Sequence, residues 1–218
     1  MTFSQISKNE FIQHCELVSE KSFFQSLEMG ELLTKRGYDV RFVGYRDSSS
    51  TIVISSLVFC KKMAGGLYME LNSCPVVSDN SYLDKFFQSL RDYAKHEGVL
   101  ELVVKPSQTY QTFDSNGQPL GFEDTHLIEM LTKNDFQYDG LQTGYPNGEP
   151  VWHYVKDLEG ITEDTLVSSF SKKGKVLSKK ANSFGLNITR LTKDELPRFK
   201  AITEATSNRR DYSDKPLE

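Results

Sequence analysis

The chain has 218 residues and a net charge of −4; 38% of its residues are hydrophobic and 26% are charged. This composition predicts a globular protein with a buried core, of one domain or somewhat more, and excludes a disordered chain. The longest apolar stretches, residues 51–60 and 99–104, fall far short of the roughly 20 residues that cross a bilayer. Because the N-terminus has no signal-peptide pattern, we expect a cytoplasmic protein.

The first 71 residues predict two helices followed by three strands. Ser7 and Glu10 have the spacing of a capping box, which marks the start of the first helix. Apolar residues at helical spacing follow Ser26 and end before Gly37, a residue type that commonly terminates helices. Segments rich in β-branched and aromatic residues then predict strands. These strands are residues 39–45, 51–59 and 66–71.

A longer helix lies between two strands in the next part of the chain. Residues 79–97 carry apolar side chains at i, i+3, i+4 and i+7, and Gly98 ends the pattern. Residues 99–104 follow as a strand. A helix between strands is typical of a crossover connection, so we predict an α/β (α+β) fold with a mixed sheet. A short helix at residues 126–132 and a further strand after residues 134–138 complete this part.

A segment rich in Gly and Pro, residues 144–150, predicts a boundary between two domains. The first domain is residues 1–150 and the second is residues 151–218. The second contains too few elements to close a sheet of its own, so we expect it to be incomplete and the chain to stop partway through it. Its predicted strands are residues 152–158 and 186–191, and its predicted helices lie within residues 161–181 and 194–207.

The charge is distributed unevenly along the chain. Residues 1–170 contain 14 basic and 24 acidic residues, whereas residues 171–218 contain 12 basic and 6 acidic residues. Five lysines fall within nine positions of one predicted helix, and lysines in this density suit phosphate backbones. A solvated helix face is an equally good interpretation of the pattern. The five are Lys172, Lys173, Lys175, Lys179 and Lys180.

A second basic cluster, Arg209 and Arg210, precedes Tyr212 at the end of a predicted helix. Two guanidinium groups can fork around phosphate or carboxylate oxygens. Arginine also stabilises a helix C-terminus, so the pattern has two interpretations. Lys35 and Arg36 have the same two interpretations at the end of an earlier helix.

Motifs for metal or nucleotide chemistry are absent. Cys15, Cys60 and Cys74 are odd in number and lack CxxC spacing, so neither a disulfide framework nor a zinc site is predicted. GxSxG, GxGxxG and P-loop motifs are missing, as is HExxH. We therefore predict no metal and no cofactor, and we assign no catalytic residue. Tyr110, in a predicted loop, either lines a cleft or is an ordinary half-buried tyrosine.

Several short segments resemble the FemABX family of peptidoglycan aminoacyltransferases, and the similarity spans nearly the whole chain. No single motif decides it; many weak matches occur in the same order. One position differs: Lys105 precedes Pro106, where some relatives have an acidic residue. The matching segments include Phe24-Gln25-Ser26, Gly37-Tyr38, Asn134-Asp135-Phe136, Lys156-Asp157-Leu158 and Glu195-Leu196-Pro197.

The resemblance implies two acetyltransferase-like (GNAT-like) domains that face each other across a cleft, in proteins about twice this length. It also implies that an amine of the precursor's stem peptide attacks the ester of an aminoacyl-tRNA. In that scheme the five lysines meet tRNA phosphates, and a second group of side chains contacts a lipid-linked or UDP-linked precursor. This second group is Lys35, Arg36, Tyr110, Arg209, Arg210 and Tyr212.

Such an enzyme needs no DNA, and its lipid-linked acceptor implies peripheral contact with the inner membrane face. Two other functions stay open. A GNAT-like N-acyltransferase that uses acyl-coenzyme A requires a Gly-rich Q/RxxGxG/A loop, which the sequence lacks. A noncatalytic RNA-binding module requires only the lysine-rich helix. The amino acid transferred, the bridge position and the oligomeric state are not predicted.

Overall fold

The computed structural model describes residues 1–141 and 153–211. The chain divides into two compact units, Met1–Asp139 and Gly140–Glu218, and each is described by itself. The domain boundary predicted at residue 150 lies outside the described residues.

The helices and strands predicted for residues 1–133 are all present in the first unit. Only the further strand expected after residue 138 is missing from the described stretch, since residues 136–141 are not in a strand. The elements are β1 Thr2–Gln5, α1 Lys8–Leu17, α2 Leu27–Lys35, β2 Asp39–Arg46, β3 Ile52–Met63, β4 Gly66–Cys74, β5 Val76–Val77, α3 Leu83–His96, β6 Val99–Pro106, β7 Thr112–Phe113, β8 Pro119–Leu120 and α4 His126–Lys133.

Local sequence signals set the ends of the first two helices. At the start of α1, the Glu10 amide donates to Ser7 Oγ at 3.2 Å, and the Ser7 amide donates to Glu10 Oε2 at 2.8 Å. This pair is the predicted capping box. At the end of α2, Gly37 adopts a φ of +84°, and the Tyr38 amide donates to the carbonyl of Leu33 at 3.1 Å. These three bonds satisfy backbone groups that a helix end leaves unpaired.

The central sheet is mixed, as predicted. Its order is β1-β2-β3-β4-β6, and β5 pairs with β3 beside β4. All pairs are antiparallel except β4 with β6, which are parallel and joined through α3. This connection is the crossover that the helix between two strands indicated.

Each face of the sheet carries its own hydrophobic core. On one face, α3 inserts Phe86, Phe87 and Leu90, all fully buried, against β4 residues that include Met69 and Leu71. The other face is covered by α1 and α2, and its core is smaller. Its buried members are Ile6, Phe11, Cys15, Val18, Leu33, Phe42, Leu57 and Val76. The first unit therefore has the two-sided layer architecture of an α/β domain.

A buried histidine joins α1 to the sheet. His14 is 3% exposed, and its Nδ1 and Nε2 lie 2.7 Å from Ser55 Oγ and 3.2 Å from Ser78 Oγ. Burial lowers the pKa of His14, because desolvation disfavours the imidazolium. Its ordinary pKa is about 6.5.

We expect His14 to make the fold less stable in acid. The unfolded chain binds the proton at a higher pH than the folded chain does, so stability is lost as the pH falls below about 6.5. The loss approaches about 1.4 kcal/mol per pH unit until the folded histidine titrates. Urea unfolding at pH 7.5, 6.5 and 5.5 measures it.

In this test, His14→Asn should flatten the pH dependence between pH 6.5 and 5.5. The matched control is His96→Asn, because the His96 side chain is 86% exposed and should have little influence. A wild-type slope that persists in His14→Asn would refute the assignment.

The second unit is helical in the part that the structure describes. The predicted helices are confirmed, whereas the strands predicted at residues 152–158 and 186–191 are wrong for residues 153–158 and 186–191. The apolar, β-branched composition that indicated strands is present, but no ladder partner is described for either segment. The helices are α5 Glu163–Leu166, α6 Lys172–Asn182 and α7 Leu196–Arg210, with 3₁₀ turns at Val167–Ser169 and Lys193–Glu195.

The second unit buries little apolar surface. Within residues 153–211 no hydrophobic side chain is buried, and Ile188 is 99% exposed. Its described part therefore gains little of the hydrophobic stabilisation that holds the first unit together. None of the helices in the described ranges is both long and apolar enough to traverse a membrane.

Candidate functional site

The five lysines of α6 form a continuous basic surface. All five are exposed, and the helix contains no acidic residue. At about 100° per residue, helical geometry places the five within an arc of about 160°. None has an ion-pair partner among the residues that the structure describes. An external polyanion can therefore neutralise them at close range.

The start of α6 is fixed by contacts within the same unit. Ser171 is the N-cap and accepts a bond from the Gly174 amide at 3.2 Å. Lys156 is not among the lysines predicted for this surface; its Nζ donates to the Ser169 carbonyl at 3.2 Å and lies 6.0 Å from the centroid of the Phe170 ring. A sixth lysine therefore lies next to the five.

The two predicted pairs of phosphate-binding residues occupy helix ends. Lys35 is the last residue of α2 and Arg36 its C-cap, and both are exposed. Arg209 and Arg210 are the last two residues of α7 and are also exposed. Each pair complements the negative end of its helix dipole, so the position fits both interpretations of the sequence. Tyr212 lies outside the described residues.

Tyr110 makes two hydrogen bonds to residues 123 and 124, on the far side of its loop. Its hydroxyl donates to Glu123 Oε2 at 2.5 Å, and its carbonyl accepts from the Asp124 amide at 2.7 Å. The bond to the Glu123 carboxylate raises the pKa of Tyr110 to about 12. The hydroxyl stays protonated at neutral pH, and its oxygen can still accept a bond.

A polar cluster that was not predicted from the sequence lies on the parallel pair β4–β6. The Glu70 side chain is only 10% exposed; it accepts a bond from the Tyr68 hydroxyl and another from Lys105 Nζ at 2.7 Å. Lys61 Nζ lies 4.6 Å from the centroid of the Tyr68 ring. Burial, followed by the Glu70 carboxylate, raises the pKa of Tyr68. Successive side chains of a strand point to opposite faces of the sheet, so Tyr68 and Glu70 lie on the face opposite Met69. The alternating pattern of these residues could have been read from the sequence.

Lys105 is the accessible partner of the Glu70 carboxylate. Its side chain is 54% exposed, so the ammonium can reach an incoming group while Glu70 holds it in place. A nearly buried carboxylate is normally paired in this way. The arrangement can bind a carbonyl or an anion at the end of β6.

A groove of about 480 Å³ lies next to the end of β6 and has polar walls. Residues 20–22 form one wall and residues 107–109 the other. Hydroxyl, amide and charged groups of both signs line it, and none of the described residues along it has a large apolar side chain. The lining residues are Glu20, Lys21, Ser22, Ser107, Gln108 and Thr109.

The two cysteines whose side chains are described do not behave as nucleophiles. Cys15 and Cys60 are buried and free. Burial raises the pKa of both thiols to about 11, so neither forms a thiolate readily at neutral pH.

Comparison with known proteins gives a consistent family assignment. The model of the FemAB family matches residues 6–218. Aminoacyltransferase FemB of Staphylococcus epidermidis is 27% identical over 220 residues, which cover 99% of this chain and 52% of the relative. Aminoacyltransferase FemA of Staphylococcus aureus is 24% identical over 223 residues with the same two coverages. The chain thus spans about half the length of the curated relatives it matches.

A solved structure shows the same fold. The crystal structure of FemX aligns with 99% of this chain and 52% of its own chain, with a TM-score of 0.70 and 15% sequence identity. This likeness confirms the predicted mixed α/β fold.

Proposed function

The chain belongs to the FemAB family, as its sequence indicated, and from this premise we propose that it forms part of an aminoacyltransferase of peptidoglycan bridge synthesis. The proposed donor is an aminoacyl-tRNA, and the acceptor is the stem-peptide lysine of a peptidoglycan precursor. The observation that carries the proposal is the family match over residues 6–218. The exposed lysine surface of α6 supports an RNA donor.

The proposed chemistry needs no nucleophilic side chain. The acceptor amine attacks the ester carbonyl of the aminoacyl-tRNA, the ester C–O bond breaks, and the products are an amide and free tRNA. The ester is already activated, so holding the amine near the carbonyl supplies much of the acceleration. A proton acceptor needs only to deprotonate the ammonium. In this scheme Lys105, fixed by Glu70, orients a carbonyl or an anion of a substrate in the first unit.

The precursor is held through its phosphates in this proposal. Arg209 and Arg210 provide forked donors that match phosphate oxygens, and Lys35 and Arg36 provide a second basic pair. Tyr110 offers a hydroxyl oxygen as an acceptor. A lipid-linked precursor places the protein at the inner membrane face.

We expect the double variant Arg209→Gln, Arg210→Gln to bind a UDP-linked muropeptide about 10-fold to 100-fold more weakly than the wild type. Charge-assisted bonds contribute about 1.5–3 kcal/mol each, and part of that is lost to solvent at exposed positions. Isothermal titration calorimetry measures the affinity. The matched control is Arg190→Gln, Arg198→Gln, which removes the same charge from exposed positions of the same unit.

The function itself is tested with charged tRNA carrying a labelled amino acid and the UDP-linked muropeptide. The proposal predicts that both ligands bind and that full-length relatives form a labelled branched peptide under the same conditions. Competition by acyl-coenzyme A in place of tRNA would favour the N-acyltransferase alternative. Salt-sensitive RNA binding without affinity for the muropeptide would favour the RNA-binding module.

A further inference from the structure

The ladder between β3 and β4 stops where a side chain enters it. The last pair of the ladder is Phe59 with Glu70, and continuing this register would place Leu57 opposite Asn72. The amide of Gln25 lies between those two residues instead. The Leu57 N–H donates to Gln25 Oε1 at 2.7 Å, and Gln25 Nε2 donates to the Asn72 carbonyl at 2.7 Å. The side-chain amide of Gln25 thus bridges the Leu57 N–H and the Asn72 carbonyl, which would otherwise bond to each other in the ladder of β3 and β4.

The Gln25 amide makes further bonds and is itself inaccessible. Gln25 is 1% exposed, and its Oε1 also accepts from Ser56 Oγ at 3.1 Å. Its Nε2 contacts the Leu57 carbonyl at 3.4 Å. Both ends of the amide are therefore satisfied by β3 and β4, as a buried polar group requires.

Beyond Gln25, the segment between Glu70 of β4 and Val76 of β5 contains two more residues than the β3 segment it faces. From the pair Phe59 with Glu70 to the pair Ser55 with Val76, β3 advances by four residues and its partner by six. The excess forms a bulge in which Ser73 has a φ of +49°. A non-glycine residue in this conformation is strained, and such bulges commonly occur beside functional sites.

The same bulge shifts the pairing of β4 with β6. Asn72 pairs with Lys105 and Cys74 with Pro106, so the register skips Ser73. Lys105 is the residue whose ammonium binds Glu70, and the chain after Pro106 forms one wall of the polar groove. The other wall, residues 20–22, lies just before Gln25 in sequence. Gln25 bonds to Asn72 at the start of the bulge, and its backbone amide donates to the Ser22 carbonyl of one wall at 2.9 Å. The pair of Asn72 with Lys105 links the bulge to the strand that leads into the other wall.

We propose that Gln25 is a positioning residue, which holds the Ser73 bulge open and thereby sets the distance between the two walls of the groove and the position of Lys105. The inference rests on the proposed function, because it assigns this groove to the peptide part of the acceptor.

The groove fits a peptide better than a phosphate. Its hydroxyl and amide groups can pair with peptide N–H and C=O groups, and its two charges are opposite in sign. Lys21, its basic residue, already donates to the carbonyls of Cys15 and Val18 at 2.6 Å and 3.0 Å. Much of its hydrogen-bonding capacity is thus used at the end of α1, and little is left for an anion.

Gln25→Glu tests the role of the amide through its pH dependence. An ionised carboxylate can accept from the Leu57 N–H but cannot donate to the Asn72 carbonyl, whereas a protonated carboxyl can do both. Burial raises the pKa of such a carboxyl. At pH 8, we expect Gln25→Glu to bind the UDP-linked muropeptide about tenfold more weakly than the wild type. Affinity should recover toward the wild-type value as the pH falls to 6.

Uridine diphosphate alone is the control ligand, since it lacks the peptide, and its affinity should be the same in the wild type and in Gln25→Glu. The second variant is Gln25→Met, whose side chain has a similar size and neither donates to the Asn72 carbonyl nor titrates. Its affinity for the muropeptide should therefore stay weak at every pH.

Four outcomes decide the inference. Equal muropeptide affinity in the wild type and both variants, or a loss that does not depend on pH in Gln25→Glu, overturns it. A parallel loss of uridine diphosphate affinity overturns the assignment of the groove to the peptide. If the wild type binds no muropeptide, the proposed function fails first, and amide hydrogen exchange at Asn72 and Ser73 still reports whether Gln25 holds the bulge.

Discussion

Replacing all five α6 lysines with glutamine is expected to lower the affinity for tRNA by at least about 100-fold at about 0.1 M salt. Each phosphate that a lysine neutralises contributes roughly 0.7–0.9 to the slope of log K against log salt. Five such contacts correspond to a slope of about 4. The five-lysine variant should therefore have a salt slope that is smaller than that of the wild type by most of this amount. Filter binding over a range of salt concentrations measures both quantities.

The control for this variant removes the same charge from the first unit. Five of its exposed lysines, changed to glutamine, should leave the salt slope nearly unchanged if α6 is the RNA surface. Equal losses in the two variants would mean that only net charge matters, and the assignment of α6 would fail. The control lysines are Lys8, Lys62, Lys85, Lys95 and Lys133.

Leu90→Ala is expected to destabilise the protein by about 2–5 kcal/mol. Leu90 is fully buried between α3 and the sheet, so the change removes apolar contacts and leaves a cavity. Denaturant unfolding followed by far-ultraviolet circular dichroism measures the free energy of unfolding.

Leu186→Ala is the matched control, because the chemical change is identical and the side chain is 72% exposed. We expect it to change the free energy of unfolding by no more than about 0.5 kcal/mol. A cost similar to that of Leu90→Ala would contradict the description of the second unit as poor in buried apolar surface.

The site was predictable only in part. The lysines of α6 were identified because five of them fall within nine positions of the sequence. The structure places them on one exposed helix face. The phosphate-binding roles of Lys35, Arg36, Arg209 and Arg210 remain predictions. In the sequence Lys105 differs from the acidic residue of some relatives, but its role could not be predicted because its partner Glu70 is 35 residues away.

The strand predictions show where local pattern fails. The segments predicted at residues 39–45 and 51–59 form β2 and β3, because each strand has a neighbour that completes its hydrogen bonds. Residues 153–158 and 186–191 have a similar composition but no described partner. A helix satisfies its backbone within one segment, whereas a strand depends on another, so composition predicts helices more reliably.

The sequence by itself determined the helices, their caps and the crossover, because capping and hydrophobic period act over a few neighbouring residues. Tertiary structure alone decided that the Gln25 amide enters the sheet between Leu57 and Asn72, which are 32 and 47 residues away. No local pattern encodes such a contact. It forms because a buried amide and two unpaired backbone groups satisfy one another only after the strands have assembled.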